Sequence, residues 1–158
     1  MQYQDQLIRM TQKVADDFVK NVKAIPADKL NWKVENSGRS PMDIFQEVAP
    51  APTYAIPMLE TRSCPDFNPE TFGKVKAERA EWDSVEKCEA KLKENLNKLF
   101  TTIRNFPDNE LSKEIDLPFV EGLRQSMADI MAYPYWNTSY HLGQVCFIQT
   151  LYGDWDMR

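Results

Sequence analysis

Histidine is nearly missing from this chain: one, His141, stands among 158 residues. No Cys/His zinc pair and no Ser-His-Asp set at ordinary spacing can be drawn around it, and no G-x-S-x-G turn supplies a nucleophile. Cysteine is scarce too. Cys64, Cys88 and Cys146 are widely spaced and odd in number, which excludes a disulfide framework and fits free thiols in a reducing cytosol. Positive charge is not in excess: 19 Lys and Arg against 24 Asp and Glu leave a formal net charge of −5. Without a basic stripe interleaved with aromatics, a nucleic-acid partner is disfavoured. No apolar run reaches the length of a bilayer span, and the polar start Met1-Gln2-Tyr3-Gln4-Asp5-Gln6 holds no signal-peptide core. The expectation is a single cytoplasmic domain over residues 1–158, with no membrane and no nucleic-acid partner.

What is present is helical periodicity, with no internal repeat. Tyr3, Leu7, Met10, Val14, Phe18 and Val22 recur at intervals of three or four and predict a helix over about 3–24, ended by Ile25-Pro26. Ser40-Pro41 reads as an N-cap followed by a first-turn proline, with Ile44, Val48 and Ala51 as the buried stripe of a second helix. Pro50, Pro52 and Pro57 remove amide donors, so a kink or break is expected after Glu47. A loop is expected over 63–71. Val75, Trp82, Val85, Leu92, Leu96, Leu99 and Ile103 form the seam of a third helix over about 74–105, with Glu89–Lys93 and Glu94–Lys98 as outer ion pairs. A small extended turn is expected within Ile115–Val120. A fourth helix runs over about 126–152. It starts at the capping pair Ser126 and Asp129, holds Pro134 and turns Met127, Ile130, Met131, His141, Val145, Ile148 and Leu151 inward. Amphipathic helices without a convincing sheet make an all-α four-helix bundle, with its second and fourth helices kinked.

Asn137 lies one helical turn before His141, so both side chains reach one point, as the paired histidines of H-x-x-x-H metal sites do. Glu47 stands on the inward stripe of the second helix, where a carboxylate needs a cation or several donors. Asp43 and Tyr54 fall on about the same stripe. Glu47 could equally face solvent or pair with Arg39. Tyr133, Tyr135, Trp136 and Tyr140 surround the candidate site as core or as the wall of an apolar pocket.

Two further segments suggest a family. Ile25-Pro26-Ala27-Asp28-Lys29-Leu30-Asn31-Trp32 and Arg39-Ser40-Pro41-Met42-Asp43-Ile44-Phe45-Gln46-Glu47-Val48-Ala49 resemble the stretches after helix one and along helix two of the DinB-like (damage-inducible) proteins. Asn137-Thr138-Ser139-Tyr140-His141-Leu142-Gly143-Gln144 is similar to their helix-four signature H-x-x-x-H-x-G-Q. The resemblance covers nearly the whole chain. It implies a four-helix bundle with a long connection between helices two and three, often a homodimer. It also implies three histidines holding nickel, zinc or iron, and in some members thiol transfer with bacillithiol, mycothiol or glutathione.

Here the three ligand positions fall on Glu47, Asn137 and His141, a harder set than three imidazoles that shifts preference toward manganese, iron or magnesium. Asp43, Tyr54, Tyr133, Trp136, Tyr140 and Gln144 are the expected pocket. A metal-dependent hydrolase or thiol transferase and a metal-free, non-catalytic small-molecule-binding or dimerising bundle both remain open. The sequence itself indicates no thiol cofactor.

Overall fold

A computed structural model of the chain describes residues 2–66, 69–118, 121–156 and 158. Helix α1 spans Tyr3–Lys23 and buries Leu7, Val14, Phe18 and Val22. Tyr3 departs from the expected inward face: it is half-exposed, and its hydroxyl donates to Ala128 O at 2.9 Å.

Helix α2, Pro41–Val48, begins with a reciprocal cap. Ser40 Oγ accepts from Asp43 N at 3.1 Å, and the Asp43 carboxylate accepts from Ser40 N at 2.9 Å. The helix stops at Val48, and α3 resumes at Ala51 and runs to Thr61. Pro50 and Pro52 bring no amide protons to the carbonyls four residues before them. Thr53 N turns instead to Pro50 O at 2.8 Å. The carbonyl of Ala49, left over by this tightening, accepts from Asn95 Nδ2 at 2.9 Å.

The single third helix expected over 74–105 is two. Helix α4 spans Pro69–Glu81 and α5 spans Val85–Arg104. The loop expected up to Thr71 therefore ends at Pro69, a residue suited to a first helical turn. Part of that loop, residues 67–68, lies outside the described residues. The division falls at Trp82-Asp83-Ser84, where Ser84 Oγ accepts from Lys87 N at 3.3 Å and starts a new helix. Gln46 Nε2 donates to the freed Trp82 carbonyl at 3.0 Å and ties the gap to α2. On the outer face Glu94 pairs with Lys98 at 2.5 Å, but Glu89 reaches across to Lys23 at 2.5 Å rather than to Lys93.

A short antiparallel hairpin follows, β1 (Glu114–Asp116) with β2 (Arg124–Ser126), Ile115 opposite Gln125. Val120, the end of the expected extended turn, lies outside the described residues. Helix α6, Met127–Leu151, opens on the Ser126–Asp129 capping box and continues through Pro134. It ends before Gly153, whose φ of +91° suits a glycine just past a helix. Leu151, expected inside, is exposed.

Helices α1 and α3 each pack on both α5 and α6, and α2 also lies against both. The second leg of the bundle is thus α2 and α3 together. Phe18 and Phe45 meet edge to face at 5.2 Å in the middle of the core. Cys64, Cys88 and Cys146 are free thiols. The buried one is Cys88 rather than Cys146, and burial pushes its thiol up to about 12. Among the described residues, no helix is long and apolar enough to cross a membrane.

Candidate functional site

Glu47 stands on the last turn of α2, just before the proline break, and Asn137 and His141 stand one turn apart on α6. The start of α6 is fixed by its capping box and by its first amides: Met127 N donates to Lys113 O at 2.8 Å and Ala128 N to Leu111 O at 3.0 Å. Asn137 and His141 are buried at 6% and 2% exposure.

His141 Nδ1 lies 2.8 Å from Gln144 Oε1. An amide oxygen accepts, so Nδ1 holds the proton and donates, and Nε2 is presented to Glu47. The separation between His141 Nε2 and Glu47 Oε1 is 3.5 Å, longer than an ordinary N–H···O bond. The other carboxylate oxygen, Oε2, lies 2.5 Å from Arg39 Nη1. The two alternatives read for Glu47 therefore coincide: one oxygen faces the histidine, the other meets Arg39. Asn137 Oδ1 is buried and accepts no hydrogen bond from a described residue. Glu47, Asn137 and His141 thus line one cavity of about 610 Å³.

That donor set fits a cation. An orphaned buried acceptor costs free energy that a positive ion would relieve, and the Gln144 contact is the outer partner a ligating imidazole needs. The set mixes one carboxylate, one imidazole and one amide. Among the described residues no cluster of three His, Cys, Asp or Glu side chains is arranged for a metal, and the third position here is the amide.

The aromatic side chains wall this cavity. Trp136 and Tyr140 stack at 5.8 Å, Tyr133 stands 6.0 Å from Trp136, and Tyr140 meets the His141 ring edge-on at 5.3 Å. Burial raises the Tyr133 phenol above its ordinary value; nearby Tyr54 and Glu47 push the same way, and Arg79 and the Asn137 amide oppose them. Tyr133 therefore keeps its proton and can donate it in a hydrogen bond. Tyr135, one residue round the helix, packs against the core instead.

The remaining expected residues divide. Gln144 lines the cavity and orients His141. Tyr54 lines a neighbouring cavity, where its hydroxyl accepts from Arg79 Nη2 at 2.8 Å. Asp43 lines neither cavity: its carboxylate caps α2 and pairs with Lys33 at 2.8 Å. Burial works against its ionisation, but the Lys33 ammonium and the Ser40 donors outweigh it and hold the carboxyl below its ordinary value. Arg79 and Phe147 were not foreseen. Arg79 lies on the weakly amphipathic α4, where nothing in the residue pattern marks an inward position.

No protein-family model matches this sequence, and no curated protein matches it. Solved structures do match in shape. YfiT from Bacillus subtilis, described as a probable metal-dependent hydrolase with an unusual four-helix bundle topology, superposes with a TM-score of 0.75 at 12% identity, covering 95% of this chain and 87% of that one. A mycothiol-dependent maleylpyruvate isomerase superposes with a TM-score of 0.70 at 9% identity over 90% of this chain; the match spans 60% of the isomerase. An uncharacterised protein from Clostridium difficile 630 gives 0.63 at 14% identity, over 91% of this chain and 95% of that one. At these identities the likeness is one of fold: this chain has the DinB-like four-helix-bundle architecture.

Proposed function

We propose that this chain is a divalent-metal protein of the DinB-like type, with Glu47, Asn137 and His141 as the ligands and metal-dependent hydrolysis or thiol transfer as its chemistry. The observation that carries the reading is the buried, unpartnered Asn137 Oδ1 on a residue that lines one cavity with Glu47 and His141. The likeness of fold to a probable metal-dependent hydrolase supports it. A bound ion would supply Lewis acidity toward a water or thiol at its open positions.

The chain's own residues have separate tasks. Gln144 holds the proton on Nδ1 and keeps the His141 lone pair on Nε2. Glu47 offers Oε1 while Arg39 balances the charge on Oε2. Tyr133 can donate a hydrogen bond to a substrate oxygen, and Trp136 with Tyr140 offers an apolar wall. One hard carboxylate and one amide oxygen favour manganese, iron or magnesium more than a three-imidazole set would, with zinc and nickel still competent.

A second reading rests on the Arg39–Glu47 pair. An internal counter-charge lets the carboxylate stand without an ion, which would leave a metal-free small-molecule-binding bundle. Calorimetric titration of manganese and zinc into chelator-stripped protein separates the two. Saturable binding that is lost in both Glu47→Gln and His141→Ala supports the metal site. Binding that survives both substitutions, or none at all, favours the second reading.

A further inference from the structure

A second cavity of about 540 Å³ adjoins the first, with Tyr133 and Trp136 belonging to both. Its walls are Tyr54 and Met58 of α3, Leu117 and Leu123 of the hairpin segment, and Ile130 and Ala132 of α6. The lining is apolar at most positions, and the volume is that of a small-molecule pocket rather than of a docked helix. Asp129 also borders it, but its carboxylate is engaged by Ser126, accepting from the amide at 3.1 Å and from the hydroxyl at 2.5 Å.

The Tyr54 hydroxyl is different. Its oxygen accepts from Arg79 Nη2 at 2.8 Å, and among the described residues its own proton meets no acceptor. Arg79 makes no ion pair with a described carboxylate, and its Nε is buried without a hydrogen-bond partner. A guanidinium that bonds the phenol oxygen polarises the O–H and strengthens it as a donor. Such a polarised donor in the wall of a mainly apolar cavity, which the polar residues Gln125 and Tyr133 also border, selects for a compound with an apolar body and a carbonyl oxygen.

We propose that this second cavity binds the aryl or alkyl body of a small neutral carbonyl compound, with its oxygen accepting from Tyr54. The inference rests on the small-molecule reading of the neighbouring site but not on a metal there. Accordingly, the test uses the full chain stripped of metal. Propiophenone and the matching hydrocarbon propylbenzene are titrated against the wild type, Tyr54→Phe and Ala132→Phe, followed by tryptophan fluorescence and protein-observed NMR.

The wild type should bind propiophenone. Tyr54→Phe should weaken it about tenfold, the upper range expected for the loss of one hydrogen bond, and leave propylbenzene unchanged. Ala132→Phe should fill the cavity and abolish both, with its helical spectrum and manganese binding as in the wild type. Failure of the wild type to bind propiophenone would overturn the proposal, as would equal propiophenone affinity in wild type and Tyr54→Phe. Metal titration of the same protein reports independently on the Glu47 cluster.

Discussion

At the proposed site, Arg39 and a cation would compete for one carboxylate. The guanidinium sits 2.5 Å from Glu47 Oε2 at a half-exposed position, so its charge reduces what the carboxylate can offer an ion. Arg39→Met should therefore raise manganese affinity, by about tenfold if the charges interact across a few ångströms of partly screened medium. Calorimetry showing equal or weaker binding in the variant would contradict this. Gln144→Leu should act in the opposite direction. Loss of the acceptor on His141 Nδ1 frees the ring to change tautomer and orientation, and outer partners of this kind are worth about 10–100-fold in metal affinity. Unchanged affinity would mean that packing alone holds the ring. Asn137 and His141 were legible as a pair because a spacing of four on a helix fixes a shared face. Asp43 was not: the third residue of a helix can turn inward or fold back on its cap, and residue identity does not say which.

At the scale of elements, Pro50, Pro52 and the serine caps mark where the chain changes helix, whereas α3 runs on through Pro57 and α6 through Pro134. The cluster at Pro50 and Pro52 announced the α2–α3 division, because a missing amide is a property of the residue itself. The α4–α5 division was missed, since the apolar spacing carries straight across Trp82-Asp83-Ser84 and a lone serine cap is a weak signal against it. Ser40→Ala should cost about 1 kcal/mol, the usual loss for an N-cap acceptor, measured by urea denaturation.

Asp43→Ala should differ in its pH dependence. The folded-state carboxyl lies below its ordinary value of 3.8, so its contribution is complete above that value and fades as pH falls through the lowered one. The wild type should exceed Asp43→Ala in stability at neutral pH, and the gap should close in acid. A gap that persists unchanged in acid would show that the carboxylate's ionisation does not matter to the cap.

For the molecule as a whole, helical periodicity and the scarcity of strand-like alternation pointed to the bundle. The relation of α6 to solvent was harder to see. Trp136, Tyr140, Phe147 and Leu151 are exposed on a helix whose other face fills the core, so apolar residues surround it and no stripe stands out. We propose that a second copy of the chain covers this surface, whose large side chains are of the kind enriched at interfaces. Light scattering at high concentration should give twice the 18.4 kDa of one chain, and Phe147→Glu should return the protein to monomer. A monomeric wild type would remove the proposal.

The proposed role of Glu47, Asn137 and His141 is to hold a divalent ion. It is tested most directly by the metal content of protein purified without an affinity tag, measured by plasma mass spectrometry for the wild type, Glu47→Gln and His141→Ala. The wild type should hold a stoichiometric divalent ion, and both variants should lose it. A metal-free wild type that takes up neither manganese, iron, nickel nor zinc on reconstitution would contradict it.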